Sequence, residues 1–529
     1  MRLTFLSVFL VSLMAYGAQA QSYDMIIRNG RVVDGTGNPW YYADVGVKEG
    51  KILFIGNLSS EKASRDIDAK GLIVAPGFID VHTHIEGNEV RLPTAGNFIL
   101  DGVTSVVTGN CGSSNTDIAD YFRKIDSVKV SLNIATLIGH NSVRRAVMGE
   151  SQREPTAEEQ QRMEALVEQG MRDGAVGIST GLIYVPGTYA NTEEVVGLAR
   201  ASAKHGGVYA SHIRNEGDHV TEAVDEAIAI GEQAKMPVQI SHFKVTYKPN
   251  WGRSVHTLQQ VEQARLRGIE VTIDQYPYVA SSTTLSTQVP SWVFSGGWDS
   301  LQWRLNDART RSRIKQEMAD DLKRKKLKDY SYAMIARYAP DSSYNGKTIS
   351  EVNKLRGRKT KPQQEAETIL ELVGSTERVQ MVYFSMDETD LRRILQYPFN
   401  MFASDAGINR YGTGMPHPRA YGTNARVLGN YVREQKIIRL EEAVRRMTSL
   451  PATKFNLRDR GLLREGMAAD IVVFDEHTVG DRATFEKPHA YSQGFAYVIV
   501  NGAVTAERGV HTGVRNGIVL RPQQRQVTE

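Results

Sequence analysis

Residues 77–84 read GFIDVHTH, a short apolar run that ends in two histidines one residue apart. Side chains alternate along a strand, so a strand here sends both imidazoles to the same side. The same design returns along the chain as TSVVTGNCG (104–112), SLNIATLIGH (131–140), GAVGISTG (174–181), GGVYASHIR (206–214), PVQISHFK (237–244), IEVTIDQYPY (269–278) and FNMFASDA (399–406). Near-continuous Val, Ile and Ala closing on polar residues is how buried parallel strands read. Helical text such as TAEEQQRMEALVEQGMRD lies between the runs. Eight strand–helix units predict an α/β protein built on a (β/α)8 TIM-like barrel. The gap before the eighth run is too long for a simple connection, so an insertion with its own helices and strands is expected at about 285–378.

Outward from the barrel the text changes. Short β-rich runs with turns fill residues 24–75, and similar runs return as ADIVVFDE (469–476) and AYVIVNGAVTAERGV (496–510). They predict a small β-sandwich domain built from both chain ends, residues 21–75 and 457–529, around a barrel of residues 76–456. The first twenty residues, MRLTFLSVFLVSLMAYGAQA, carry Arg2, an apolar run from Leu3 to Met14 and an Ala18-Gln19-Ala20 site. That is the layout of a secretory signal peptide, and its apolar run is too short to span a bilayer. No lipid-anchor cysteine follows it. The expectation is a soluble periplasmic protein without a membrane anchor. Across 529 residues, 41% apolar and 23% charged content is ordinary for a globular protein, and a formal charge of +4 gives no case for a nucleic-acid partner. The run KRKKLK at 323–328 reads as the solvated face of a helix.

Barrel enzymes place their chemistry at the C-terminal ends of the strands. Here those ends carry His82, His84, Cys111, His140, His212, His242, Tyr276 and Asp405. One histidine at a strand end is more often a hydrogen-bonding residue than a ligand. Four histidines and a cysteine at one end of a barrel are the residue types of a zinc site. Cys111 is the only cysteine in the chain and sits in GNCGSS. In an oxidising compartment a lone cysteine is a free thiol or a ligand. Flanking glycines mark a backbone turn, a poor place for a core filler.

The segments APGFIDVHTH, TGNCG, GISTGLIYVPGTYA, SHIRNEG, SHFK, DQYPY, SDA, HPRAYGT and RGLLREGMAADIVVFD together resemble the amidohydrolase superfamily and, within it, the D-aminoacylase (N-acyl-D-amino-acid deacylase) family. The resemblance runs along nearly the whole chain after residue 20. It implies that His82, His84, Cys111, His212 and His242 are metal ligands, with one tight Zn2+ at Cys111, His212 and His242 and room for a second, weaker one. It implies that Asp405 is the catalytic carboxylate and that Lys244, Tyr276 and Arg419 grip the carboxylate of a small-molecule substrate. Many two-metal relatives bridge their ions with a carboxylated lysine from the fourth strand. No lysine lies between Lys129 and Lys204, so that bridge is unavailable from GAVGISTG, and Cys111, a strong zinc ligand as thiolate, can replace it. The chain departs from the family pattern at Ile85-Glu86, where an acidic pair is common, at SDA in place of SDG, and in a longer stretch between Asp405 and Arg419. The implied activity is zinc-dependent hydrolysis of N-acyl-D-amino acids, or dipeptides with a D residue, to a carboxylate and a free D-amino acid. Asp405 would take the proton of a water acidified by zinc and hand it to the leaving amine. A cyclic-amide hydrolase of the dihydroorotase or hydantoinase type and a non-catalytic periplasmic binding protein on the same fold are the alternatives.

Overall fold

The computed structural model describes residues 23–522, so the leader-like residues 1–20 lie outside the described residues. Five strands come first: β1 (Tyr23–Val32), β2 (Tyr41–Lys48), β3 (Lys51–Gly56), β4 (Ala63–Asp68) and β5 (Ile73–Pro76). β1 pairs with β2 antiparallel, with β4 in parallel from Tyr23 to Arg28, and with β5 in parallel at Arg31 and Val32. Sharing one edge of β1 between β4 and β5 forks the sheet, and both branches feed one apolar cluster that includes Ile27, Val45, Ile67, Val74, Ile471 and Ile499.

The next strands are β6 (Phe78–Asp80), β7 (Val103–Thr108), β8 (Asn133–Thr136), β9 (Ile138–Gly139), β10 (Gly177–Gly181), β11 (Val208–His212), β12 (Val238–Ile240) and β13 (Val271–Gln275). β14 (Ser281–Thr284), β15 (Ala333–Arg337) and β16 (Gln380–Tyr383) form a separate antiparallel sheet, and β17 (Asn400–Phe402) rejoins the first set. β6, β7 and β8 pair in parallel, as do β9, β10, β11, β12, β13 and β17 in that order. β8 and β9 are two halves of one run, broken at Leu137. Between the first and last runs, a parallel bridge joins Thr83 to Ala406. There Asp405 N donates to His82 O and His84 N to Ala406 O, both at 2.9 Å. The eight apolar runs therefore follow one another around a ring in chain order, as the alternation requires. Ile79, Val107, Leu137, Val176, Val208 and Met401 fill its interior below the site. Between strands the helical text forms helices: Ala157–Arg172 starts at a capping box of Thr156 and Glu159.

Residues 281–383 carry their own apolar cluster, with Ile314, Met318, Ile335 and Ile369 at 0–1% exposure. This unit is tied across the barrel mouth. Tyr189 Oη donates to Ser291 O at 2.6 Å, Gly296 N to Glu150 O at 3.1 Å and Met415 N to Ala336 O at 2.7 Å. The basic run 323–328 ends the helix Ala308–Arg324 and is not uniformly solvated. Lys325 Nζ lies 2.6 Å from Asp321 and 4.6 Å over the Tyr247 ring, because carboxylate and ring together offset the loss of water.

The chain returns to the end sheet as β18 (Ile471–Phe474), β19 (Phe495–Val500), β20 (Ala503–Glu507) and β21 (Val510–His511). β18 pairs antiparallel with β5, which joins the two ends of the chain. Beyond β21 the tail leaves this sheet and runs along β8, where Ile134 N donates to Ile518 O at 2.9 Å and Leu520 N to Ile134 O at 2.8 Å. A buried pair, Arg460 with Asp470, helps to lock sheet to barrel; Asp470 also accepts from Asn133 Nδ2 at 2.9 Å and Asn501 N at 2.8 Å. Among the described residues no helix is long and apolar enough to cross a membrane.

Asp101 makes the corresponding connection on the site side. Its buried carboxylate accepts from Asn424 N at 2.8 Å, Ala425 N at 3.1 Å and Ser492 Oγ at 2.7 Å. Those partners lie in the helix that starts at Arg419 and in the approach to β19. Asp101→Ala takes the acceptor from three buried N–H donors, Asn424 N, Asn424 Nδ2 and Ala425 N, each costing about 1–3 kcal/mol, while Ser492 Oγ keeps Tyr421 O. The expected outcome is a loss of at least about 3 kcal/mol in urea unfolding, and a loss below about 1 kcal/mol would show that the network is not a structural tie.

Candidate metal centre and active site

The segment GNCG shows how this sequence aims one thiol. Gly109 and Gly112 have φ of 75° and 72°, in the left-handed region that favours glycine. A Cβ on Gly109 would stand 2.2 Å from Leu137 O, and one on Gly112 would stand 2.1 Å from Asn141 Oδ1. Ser179 holds both ends of the turn: its hydroxyl donates to Gly109 O at 2.5 Å and accepts from Gly112 N at 3.0 Å. Between the glycines Cys111 is itself left-handed at φ 51°, and so are His242 at 36° and Asp405 at 49°. A non-glycine residue held there costs on the order of 1–3 kcal/mol. Three such residues, each just beyond a barrel strand, turn their side chains toward one point.

At that point Cys111 Sγ lies 3.3 Å from His82 Nε2, 3.5 Å from His212 Nδ1 and 3.7 Å from His242 Nε2. The ligand atoms of Cys111, His212 and His242 lie within 4.8 Å of one another, as do those of His82, His84 and Cys111 and those of His82, His242 and Asp405. With ordinary zinc–sulfur and zinc–nitrogen bonds, the sulfur–nitrogen edge of a tetrahedron is about 3.6 Å. The measured separations match that edge. His82 turns Nε2 and His212 turns Nδ1 toward the sulfur, while their other ring nitrogens face the carboxylates of Asp274 and Glu216 at 3.5 and 3.9 Å. The donor set fits zinc.

Charge is concentrated here. Asp405 Oδ1 lies 3.2 Å from His84 Nε2 and 3.6 Å from His82 Nε2, and its Oδ2 lies 2.9 Å from Arg419 Nη1. Burial pushes the Asp405 carboxyl up, but Arg419 and His82 outweigh it and hold it well below the usual carboxylate range. Burial likewise raises the Cys111 thiol, and the charges of His82 and His212 reverse the effect, favouring thiolate. His84 is lowered by burial but carried up to about 10 by Asp405 and Cys111. All these residues except His82 line a cavity of 1910 Å³ that reaches from the barrel mouth into the 281–383 unit.

Lys244, Tyr276 and Arg419 line the same cavity. Each already has partners. Lys244 Nζ lies 2.5 Å from Glu216 Oε1 and 2.7 Å from His242 Nδ1. The Arg419 guanidinium, besides facing Asp405, stacks 4.4 Å over Tyr276, and Lys244 lies 5.7 Å over the same ring. His140 is not part of the cluster: its Nε2 meets Glu194 Oε1 at 2.8 Å beside Arg144, a buried ion network on the barrel flank.

Three functional neighbours escaped the sequence reading. Glu216 follows His212 by four residues and backs both imidazoles. Asp274 takes the His242 amide at 2.7 Å and lies 3.5 Å from His82 Nδ1. His417 accepts from Arg419 N at 3.0 Å, which orients the start of the helix carrying that arginine. All three stand inside segments already singled out, SHIRNEG, DQYPY and HPRAYGT, yet nothing in residue type separates them from ordinary loop polar groups. Glu86, the residue at the altered acidic pair, lines the cavity and accepts from Thr108 Oγ1 at 2.6 Å, while Ile85 is buried in the core.

Residues 65–506 match the model of the amidohydrolase family. The chain is 38% identical to the N-acyl-D-glutamate deacylase of Alcaligenes xylosoxydans xylosoxydans, over 91% of this chain and 93% of that one. It is 36% identical to the D-aminoacylase of the same organism, over 95% and 98%. The crystal structure of the N-acyl-D-glutamate deacylase of Bordetella bronchiseptica, complexed with zinc and a phosphonate mimic of the tetrahedral intermediate, superposes with a TM-score of 0.81 at 36% identity, covering 95% of this chain and all of that one.

Proposed function

The chain belongs to the amidohydrolase family, and we propose that it is a zinc-dependent hydrolase of N-acyl-D-amino acids. The observation that carries this reading is the convergence of Cys111 with His82, His212 and His242 beside Asp405 at the floor of one cavity. When bound, zinc supplies Lewis acidity at an amide carbonyl and acidifies a water to a pKa of about 7. The residues do the rest. Asp405 Oδ1 accepts the water proton as hydroxide adds to the carbonyl carbon, then returns it to the amine nitrogen as the C–N bond breaks. Arg419 offers a planar pair of N–H groups to the substrate α-carboxylate, with Lys244 as a second charge and the Tyr276 hydroxyl as a donor.

In this reading the small β domain of residues 21–75 and 457–529 frames a barrel of residues 76–456, and the insertion at about 285–378 walls the cavity. Residues 1–20 support export to the periplasm, where cell-wall fragments are a source of D residues. The formal charge of +4 supports a small-molecule substrate rather than nucleic acid.

The decisive experiment is stereochemical. With the carboxylate and the carbonyl both held, the side chain of one hand points into space and that of the other into a wall. Matched N-acetyl-D- and L-amino acids are expected to give kcat/KM ratios well above tenfold in favour of D, which corresponds to more than about 1.4 kcal/mol between the two transition states. Equal values for both hands would mean that the carboxylate anchors are misassigned.

A further inference from the structure

Glu216 stands behind the imidazoles, on the side away from Cys111. Its Oε1 lies 3.0 Å from His242 Nδ1, 2.5 Å from Lys244 Nζ and 3.9 Å from His212 Nε2. The loop that carries it is fixed on both flanks. Asn215 Oδ1 accepts from Gly217 N at 2.8 Å, and Glu216 O accepts from Thr246 N at 2.8 Å and Thr246 Oγ1 at 3.0 Å. Burial pushes its carboxyl up, but Lys244, His212 and His242 hold it well below the usual carboxylate range.

A neutral imidazole has one N–H and one lone pair, and only the nitrogen with the lone pair binds a metal. In His242 the nitrogen facing Cys111 is Nε2, at 3.7 Å. For Nε2 to be a ligand, the proton must sit on Nδ1. Two groups compete there with opposite demands. Lys244 Nζ, 2.7 Å away, can only donate and so calls for a lone pair on Nδ1. Glu216 Oε1 can only accept and so calls for the proton. It also accepts from the same ammonium, which draws Lys244 away from the ring nitrogen.

We infer that Glu216 is a positioning residue that selects the metal-binding tautomer of His242 against the pull of Lys244. This role rests on the reading of Cys111, His212 and His242 as a zinc centre. A carboxylate behind a ligating histidine is worth 10–100-fold in metal affinity in other proteins. Lys244 sharpens the effect, because losing Glu216 here leaves a competing donor as well as a missing acceptor.

The test is zinc affinity, measured by chelator competition on the whole protein. Glu216→Ala is expected to bind zinc about 10–100-fold more weakly. Glu216→Gln keeps a carbonyl acceptor of the same shape and is expected to retain most of the affinity. Adding Lys244→Met to Glu216→Ala removes the competitor and is expected to recover most of the loss. Wild-type affinity in Glu216→Ala overturns the inference. So does a double variant no tighter than Glu216→Ala, or a Glu216→Gln as weak as it. Nitrogen-15 NMR of histidine in the zinc-loaded wild type gives an independent reading: His242 protonated at Nδ1 is expected, and protonation at Nε2 overturns the role. Cys111→Ala separates this inference from its premise. If that variant binds zinc normally, the centre itself is misassigned and the role of Glu216 falls with it. If it is impaired while Glu216→Ala is not, only the role of Glu216 falls.

Discussion

Asp405→Asn is expected to lower kcat by about 10²–10⁴-fold, the usual contribution of a positioned acid–base group, while zinc content stays at the wild-type level. The amide keeps the shape of the carboxylate and can still meet Arg419, but it cannot take a proton from water. Some stability is expected to be lost as well. Arg419 is buried, its Nη1 lies 2.9 Å from Asp405 Oδ2, and besides its stacking over Tyr276 the guanidinium has a long hydrogen bond from Nη2 to Ser282 O at 3.4 Å. Removing the charge that faces a buried guanidinium is costly, so melting temperature and turnover must be read separately, with rates taken well below the transition. The two effects have different signatures: lost stability lowers the melting temperature, whereas lost proton transfer lowers kcat in protein that is folded and zinc-loaded. Near-normal kcat in such protein would remove Asp405 from the mechanism.

That Asp405 and Arg419 face each other was not legible in the sequence, although both residues were. The barrel was legible because a parallel strand buried on both faces must be apolar throughout, and VTSVVT or VYASH leaves few other readings. Candidates for the centre stood out because histidine and cysteine are scarce, and six of the eight strand ends carry residues that the structure brings together at the cavity. Pairing is a different matter. Lys244 meets Glu216 across 28 residues and Asp405 meets Arg419 across a loop, and no periodicity fixes which carboxylate a given cation faces. Backbone twist was equally hidden: GNCG announces its turn through glycine, whereas His242 and Asp405 are left-handed with nothing in SHFK or SDA to signal it. His140 shows the reverse error that residue type invites. It ends an apolar run like the ligands do, but the Glu194 carboxylate on a neighbouring helix, itself paired with Arg144, claims it.

Cys111→Ala is expected to abolish tight zinc binding, from one to two ions per chain in the wild type to a small fraction of one, and to abolish turnover with it. Cys111 is common to two of the three ligand groups, so its loss weakens both at once. A ligand should matter more than the outer-shell partners whose loss costs 10–100-fold. The substitution is unusually clean, because alanine at φ 51° meets the same backbone restriction as cysteine and leaves the strain of the turn unchanged. Metal-free variant and metal-free wild type should therefore melt within a few degrees of each other. Zinc should then separate them: a ligand at 100 times its dissociation constant stabilises a folded protein by about 2.7 kcal/mol, so zinc raises the melting temperature of the wild type and not of the variant. Cys111→Ser, which keeps the size but offers a hydroxyl that stays protonated, should behave like alanine. If Cys111→Ala instead keeps its zinc and its thermal response, the thiol is a bystander. The remaining group, His82, His242 and Asp405, would then have to hold the ion. Asp405 would be a ligand rather than the base, and Asp405→Asn would lose zinc along with activity, an outcome the first experiment detects directly.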